Sequence, residues 1–423
     1  MCGQIHGPLR WIGQNLRVKS AALLVLVVSA TAHADARVPV TLADALAAAG
    51  RAPGAQIGPH EIAAAEATVD AASAWPNPSL GLSTSRLTAQ LIAGATLPLP
   101  ILGTVGAAKR VARAEADVVQ AEAMLALRDL RQRVVMTWIE LQRAEGDVTA
   151  TQVAAQQAAD LEHIAKGRLA AGTGADVDVT VATAARARAD VAYAAAQRAD
   201  DAASADLAGL LGWDPSRPLA TAGDPALGPG GDLDVLAQKL AAHPLRRAAQ
   251  MRVAAADANV DAVLVLRRPG LALEGEIDYD DRTIGGASPW DNTDARIGIA
   301  LELPVFARIG DRARAARATA MAERMRLAAT EAELGGRLVA AYRRWQAATE
   351  RLASLQRDVI PAQEKAATLS MQAYREGARD LASAVLAQRD LASARAEVND
   401  ARAAAAQAYA ELALAAGEDV HAP

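Results

Sequence analysis

Leu271-Ala272-Leu273-Glu274-Gly275-Glu276-Ile277-Asp278-Tyr279-Asp280 and Asp294-Ala295-Arg296-Ile297-Gly298-Ile299-Ala300-Leu301-Glu302-Leu303 alternate in polarity along both runs. In the first run Leu271, Leu273, Gly275, Ile277 and Tyr279 share one face, and Ala272, Glu274, Glu276, Asp278 and Asp280 share the other. In the second, Ala295, Ile297, Ile299, Leu301 and Leu303 alternate with Asp294, Arg296, Gly298, Ala300 and Glu302. A period of two is the signature of extended backbone, so the spacing predicts an antiparallel strand pair over 271–303 with a loop at 281–293. One face is apolar and the other mostly charged, as in a transmembrane barrel strand with lipid on one side and a watery lumen on the other. A half-exposed sheet on a soluble domain alternates in the same way. The flanking sequence has to separate the two.

Residues 1–34 carry Arg10, Arg17 and Lys19, then an apolar run from Ala21 to Val28, then Ala32-His33-Ala34. This pattern predicts a secretory signal cleaved after Ala34, too short to span a bilayer. Cys2, the only cysteine, would leave with it. The mature chain is then expected to have no disulfide, no thiolate metal site and no lipidation. Losing three basic and no acidic residues moves the formal charge from −5 to −8, which argues against nucleic acid or an anionic membrane surface as a partner. No later run of 18 apolar residues exists, so entry into a membrane would have to use strands of about 9–11 residues each. Export, together with long helices running directly out of each strand pair, favours the barrel.

The first repeat spans 35–213. A short helix opens at Thr41-Leu42-Ala43-Asp44, and a second is expected over 60–75, ended by Pro76 and Pro78. Alternation over 79–97, with a tight link near Arg86 to Thr88, predicts a β-hairpin with short strands. Residues 104–171 lack proline, are rich in alanine and carry Val111, Val118 and Leu125 at heptad spacing. They predict a helix roughly 100 Å long. Gly172-Thr173-Gly174 reverses the chain into a return helix over 176–211, which would complete the long helix's partner only if the helix of 60–75 stacked on its end.

A Pro/Gly/Asp-rich linker over 214–232 follows, and then the order repeats over 233–417, leaving a tail at 418–423. A helix over 243–266, strands over 271–303, a long helix over 308–376, a reversal at Gly377 and a return helix over 379–416 match their counterparts. Arg268-Pro269-Gly270-Leu271 echoes Asn77-Pro78-Ser79-Leu80, and Leu303-Pro304 echoes Leu99-Pro100. Within the second long helix, Leu334, Leu338, Ala341, Trp345, Ala348, Leu352, Leu355, Val359, Ala362, Ala366 and Leu369 form a seam in alternating steps of four and three. Pro361 interrupts it and is expected to bend the helix or remove a backbone bond.

Four strands cannot close a barrel, and an open edge in lipid leaves unpaired backbone groups costing several kcal/mol each. Closure therefore needs other copies; three give twelve strands and a helical tube about 100 Å long. The fold expected is mainly α with a membrane β-barrel: long antiparallel coiled-coil helices forming an α-barrel, and four strands per chain contributing to a 12-stranded trimeric barrel.

In the duplicated order, the two Leu-Pro pairs and the Tyr374-Arg375-Glu376-Gly377 turn followed by Leu381 and Leu391-Ala392-Ser393-Ala394-Arg395, the mature chain resembles the outer-membrane efflux family typified by TolC. The resemblance implies a homotrimer, with its barrel in outer-membrane lipid and its α-barrel in the periplasm. It also implies docking, at the reversals marked by Gly172, Gly174 and Gly377, with a periplasmic adaptor and through it an inner-membrane pump. Leu303-Pro304-Val305-Phe306-Ala307-Arg308 is similar to the CzcC-like branch, which implies heavy-metal cations as cargo and a pump of the RND type. The strand residues Glu274, Glu276, Asp278, Asp280, Asp294, Arg296 and Glu302 would then line the lumen, and carboxylate rings favour cations. Efflux of organic compounds and type I secretion are the alternatives within the duct class, and a pore-free periplasmic coiled-coil adaptor or scaffold is the alternative outside it.

In relatives gated by acidic rings, a carboxylate lies six residues after the reversal glycine. Asp178 holds that place after Gly172, with Asp176 beside it, but Ser383 holds it after Gly377, so one ring is expected instead of two. Asp176 and Asp178 read equally as a cap and a favourable charge at a helix N-terminus, and Arg379 as either a subunit contact at the tip or a solvated turn residue. Nothing in the sequence calls for catalysis, a cofactor or a bound metal: His60, His163, His243 and His421 are scattered, and no G-x-S-x-G, H-E-x-x-H, P-loop or C-x-x-C is present. His243 before Pro244 reads as a helix-start residue, and Tyr279, Trp290 and Phe306 as interface aromatics or ordinary packing.

Overall fold

A computed structural model describes residues 37–85, 90–224, 228, 230–280 and 293–418. The expected signal peptide, the link at Arg86 to Thr88, the loop over 281–292 with Trp290, and His421 lie outside the described residues.

The first repeat begins with β1 (Val38–Thr41) and α1 (Leu42–Ala49), whose N-cap Thr41 Oγ1 accepts the Asp44 N–H at 3.1 Å. Next come α2 (Pro53–Ser73), β2 (Ser79–Ser85), β3 (Gln90–Pro98), α3 (Thr104–Ala170) and α4 (Asp176–Leu211). Helix α2 starts earlier than the expected residue 60, because Pro53 occupies the first helical position, where a missing N–H costs nothing. Pro59, inside the helix, disguised that start. The end of α4 meets the start of α2, with Gly212 packed against Pro53, so the shorter helices together pair with α3 as expected.

The linker contains β4 (Leu219–Ala222), which runs parallel to β1 with Val38 opposite Leu219. Two four-residue strands are too short to read from alternation. Their order comes from the helices beneath. Trp138 Nε1 donates to the Val40 carbonyl at 3.0 Å, the Leu219 N–H donates to Ser204 Oγ at 2.7 Å, and the Thr221 N–H donates to Glu145 Oε1 at 2.7 Å. Val40, Trp138, Leu141, Leu207 and Leu219 form the largest buried core around them.

The second repeat holds α5 (Leu233–Lys239), α6 (Pro244–Val265), β5 (Gly270–Asp280), β6 (Thr293–Glu302), α7 (Ile309–Ser354), α8 (Ile360–Arg375) and α9 (Leu381–Ala416). His243 is the N-cap of α6, with Nδ1 accepting the Leu245 N–H at 3.1 Å, and burial lowers its pKa. The repeats superpose in numbering with a shift of 191 at Pro53 and Pro244 and at Pro78 and Pro269. The shift is 204 for the buried pairs Ala112 and Ala316, Ala116 and Ala320, Leu130 and Leu334, and Val134 and Leu338. At the reversal glycines it is 205, with Gly172 and Gly377 both at φ 75°, a left-handed conformation suited to glycine.

The second long helix therefore carries one residue more than the first, and the structure shows where it goes. Between α7 and α8, Leu355–Val359 form a π turn, in which the Ile360 N–H donates to the Leu355 carbonyl. A π turn accommodates one extra residue in a continuous helix. Pro361 follows in the first turn of α8. The seam is buried or half-buried from Leu334 to Val359, but its last three expected positions, Ala362, Ala366 and Leu369, are exposed. The inward positions become Gln363, Ala367 and Ser370, each one residue later. Alanine on every face hid the slip.

The repeats lock together where α3 meets α9. Asn399 Nδ2 donates to the Arg143 carbonyl at 2.6 Å and to Asp147 Oδ1 at 2.8 Å, while Arg143 reaches Asp400 at 3.3 Å. Gly146 gives this contact room, since a Cβ there would collide with the Asn399 amide. Gly146→Ala is expected to cost about 1–3 kcal/mol despite the better helix propensity of alanine. In an Asn399→Ala background the same substitution should become neutral or stabilising, which denaturant unfolding of the four variants would measure.

Candidate functional site

The four longer strands form one antiparallel sheet in the order β2-β3-β5-β6. Directly opposed residues in an antiparallel pair point to the same side, so the register assigns every side chain to a face. Glu276 lies opposite Arg296 and Gly94, Asp278 opposite Asp294 and Ile92, Glu274 opposite Gly298 and Thr96, and Glu302 opposite Gly270. All the expected lumen residues whose side chains are described thus share a face; the Asp280 side chain lies outside the described residues. Arg296 sits among the acids, 3.3 Å from Asp278 and 3.7 Å from Glu276.

On the opposite face Leu82 stands beside Ala93, Ala93 beside Ile277 and Ile277 beside Ala295, and Leu273 stands beside Ile299. This face is uncovered: Leu80 is 84% exposed and Ile297 86%. A contiguous apolar surface of this kind marks an interaction with lipid or another chain. Among the described residues neither outer strand, β2 or β6, has a partner on its free edge.

At the far end of the helices, the tip is held by Tyr374, from the turn that the sequence marks, and by Arg168, which the sequence did not single out. Arg168 of α3 donates to the Tyr374 carbonyl of α8 and to the Thr173 carbonyl at 3.3 Å, and its guanidinium lies 4.8 Å from the centre of the Tyr374 ring. One cation thereby ties the two helix reversals together. Tyr374 is 1% exposed, and burial, with a smaller contribution from Asp178, raises its phenol pKa. Six residues before Arg168 in α3, buried Glu162 accepts from Lys166 at 2.8 Å, Thr183 at 3.0 Å and Arg186 at 2.8 Å. These hydrogen bonds hold its pKa down to about 2. The i,i+4 spacing of Glu162 and Lys166 was readable; the approach of Arg186 depends on the register of the reversal.

Asp176 and Asp178 both lie in the first turn of α4, but Asp176 is not its cap: Ala175 holds that position and makes no side-chain bond. The favourable helix-end charge remains. Asp178 is half-buried, and its N–H donates to the Ala175 carbonyl at 3.0 Å. Arg379 is exposed, and within the described residues its side chain makes no hydrogen bond or ion pair; only its N–H is engaged, by the Ala373 carbonyl at 3.2 Å. Ser383, in the place of the missing second acid, donates to Asp380. Gly174 turns tightly, since a Cβ there would lie 2.8 Å from the Leu169 nitrogen. No helix among the described residues is long and apolar enough to cross a membrane, and no group of three or more His, Cys, Asp or Glu among them could hold a metal ion.

This architecture recurs in solved structures. The chain is similar to the outer membrane protein VceC from Vibrio cholerae, with a TM-score of 0.73 and 19% identity over 89% of this chain and 96% of that one. It is similar to CusC, with a TM-score of 0.76 and 16% identity over 89% and 92% of the two chains. The MtrE outer membrane channel of Neisseria gonorrhoeae, in its open state, matches with a TM-score of 0.71 and 17% identity over 89% of both. No curated protein sequence matches the chain. The sequence pattern of the outer membrane efflux proteins matches residues 47–213 and again 235–418, the same two repeats that the fold displays. The chain belongs to the outer membrane efflux protein family.

Proposed function

We propose that the chain is one subunit of a homotrimeric outer-membrane duct, which carries cargo passively from the periplasm to the exterior and takes its energy from a partner pump. The observation that carries this reading is the four-stranded sheet with a continuous apolar face and two free edges. Lipid covers such a face favourably, at about 25 cal/mol per Å². The edges can enter hydrocarbon only when paired. Pairing β6 of each copy with β2 of the next removes every edge at once, and three copies make twelve strands.

The polar face then surrounds water. Glu274, Glu276, Asp278 and Asp294 outnumber Arg296 there, so the lumen attracts cations. With the Leu303 to Arg308 passage, this supports heavy-metal cations as the cargo and an RND-type pump, reached through an adaptor at the reversals marked by Gly172, Gly174 and Gly377. Export after cleavage at Ala34, without lipidation, completes the reading. Deletion of the gene should sensitise cells to metal cations more than to organic compounds, and the opposite order would move the cargo to the alternative class.

At the tip, Asp178 supplies a ring of three carboxylates and Arg379 an exposed cation for a neighbouring copy, while Arg168 and Tyr374 hold each copy's hairpins together. In planar bilayers Asp178→Asn should raise conductance or weaken block by divalent cations; unchanged conductance and block would exclude Asp178 from the gate. Fractionation should place the protein in the outer membrane as a trimer that dissociates on heating, whereas a soluble monomer would rule out the duct.

Glu162 adds a pH dependence. Because its folded pKa lies below the usual 4.5, its contribution is complete above that value and is lost as pH falls toward about 2. The melting-temperature gap between wild type and Glu162→Gln should shrink over that interval, and a constant gap would contradict the assignment.

A further inference from the structure

Helix α6 packs along two long helices, α7 of its own repeat and α3 of the other, whereas its counterpart α2 packs extensively on α3 alone. The missing cover is visible in single residues. Ala248 of α6 is 1% exposed, while Ile57, its counterpart at the shift of 191, is 58% exposed. On the long helices, Ala121 of α3 lines a groove with Pro244 and Arg247 beside α6, while its counterpart at the shift of 204, Met325 of α7, is 60% exposed. The contact of α3 with α6 therefore has a duplicate, α7 with α2, that one chain leaves unmade.

The ion pair in the existing contact is Arg252 of α6 with Glu122 of α3, at 3.0 Å from Nε and 2.7 Å from Nη2. Its duplicate follows from the numbering: Arg252 maps to Glu61, and Glu122 maps to Arg326. Base has become acid and acid has become base, so the duplicate pair is attractive too. Replacement at only one of the two positions would have opposed like charges, which disfavours association. Both side chains are exposed. Among the described residues Arg326 forms an ion pair with its i−3 neighbour Glu323 alone, and Glu61 borders a groove that also presents Glu115 and Glu122.

We propose that Glu61 of one copy pairs with Arg326 of a second copy, with Ile57 and Met325 on the same joined surfaces, and that this charge-exchanged pair sets the order and axial register of the subunits. The proposal rests on reading the chain as a subunit of a closed tube. It is independent of cargo and of the tip.

The test uses the full chain in detergent, with Glu61→Arg, Arg326→Glu and the double variant compared by the concentration at which the oligomer half-dissociates. Each single reversal should raise that concentration about tenfold or more, and the double reversal should return it close to wild type. Glu61→Gln and Arg326→Gln, which remove charge without adding repulsion, should each give a smaller loss and no recovery when combined. Circular dichroism of each monomer should stay unchanged. A wild-type oligomer with singles as stable as itself, or with a double no better than the worse single, would overturn the pairing and leave the tube reading standing. A wild-type chain that is monomeric at every concentration would overturn both.

Discussion

An open β-sheet edge cannot rest in hydrocarbon, because each unpaired N–H or carbonyl there costs several kcal/mol with no water to take its bond. The sheet β2-β3-β5-β6 presents two such edges and an apolar face that water does not favour. Soluble proteins manage exposed edges with charge, bulges or cover. Here Leu80, Leu82, Ile297 and Ile299 stand uncovered on the edge strands, so among the described residues the sheet has neither edge partners nor a cover on its apolar face, and the proposed assembly supplies both.

The helices meet the same demand by a different route. Each repeat builds one long helix and assembles its antiparallel partner from a 36-residue return helix and a shorter one. Alanine lets these pack closely, and polar pins such as Asn399 against Arg143 and Asp147 fix the two repeats relative to each other. The π turn at Leu355–Val359 keeps a helix with one extra residue in step with its partner: Leu352 and Leu355 pack with Ala401 and Ala405 above, and Tyr374 packs with Leu161 and Leu381 at the tip. A strict α-helix would have rotated everything beyond it by about 100° per added residue.

Much of this was legible because periodicity reports burial. The alternation over 271–303 assigned the faces that the register then displayed, and Pro, Gly and Leu-Pro landmarks marked the duplication. Three things were not legible. The β1 and β4 strands are too short for a period and are ordered by Trp138, Ser204 and Glu145 from distant positions. The phase slip after Val359 was masked by alanines that fit either register. At the tip, the role of Arg168 depends on which carbonyl and ring lie across the reversal, a relation 206 residues long in sequence. Asp176, Asp178 and Arg379 were visible as charges near a turn, but they do not form the tie between the hairpins.

The most direct measurement of the central claim is electron microscopy of the purified full chain in detergent. The account predicts particles of three subunits, with twelve strands closing one end and a helical tube extending about 100 Å from it. Single chains with an open four-stranded sheet, or rings in which β6 does not pair with β2 of the next copy, would contradict it.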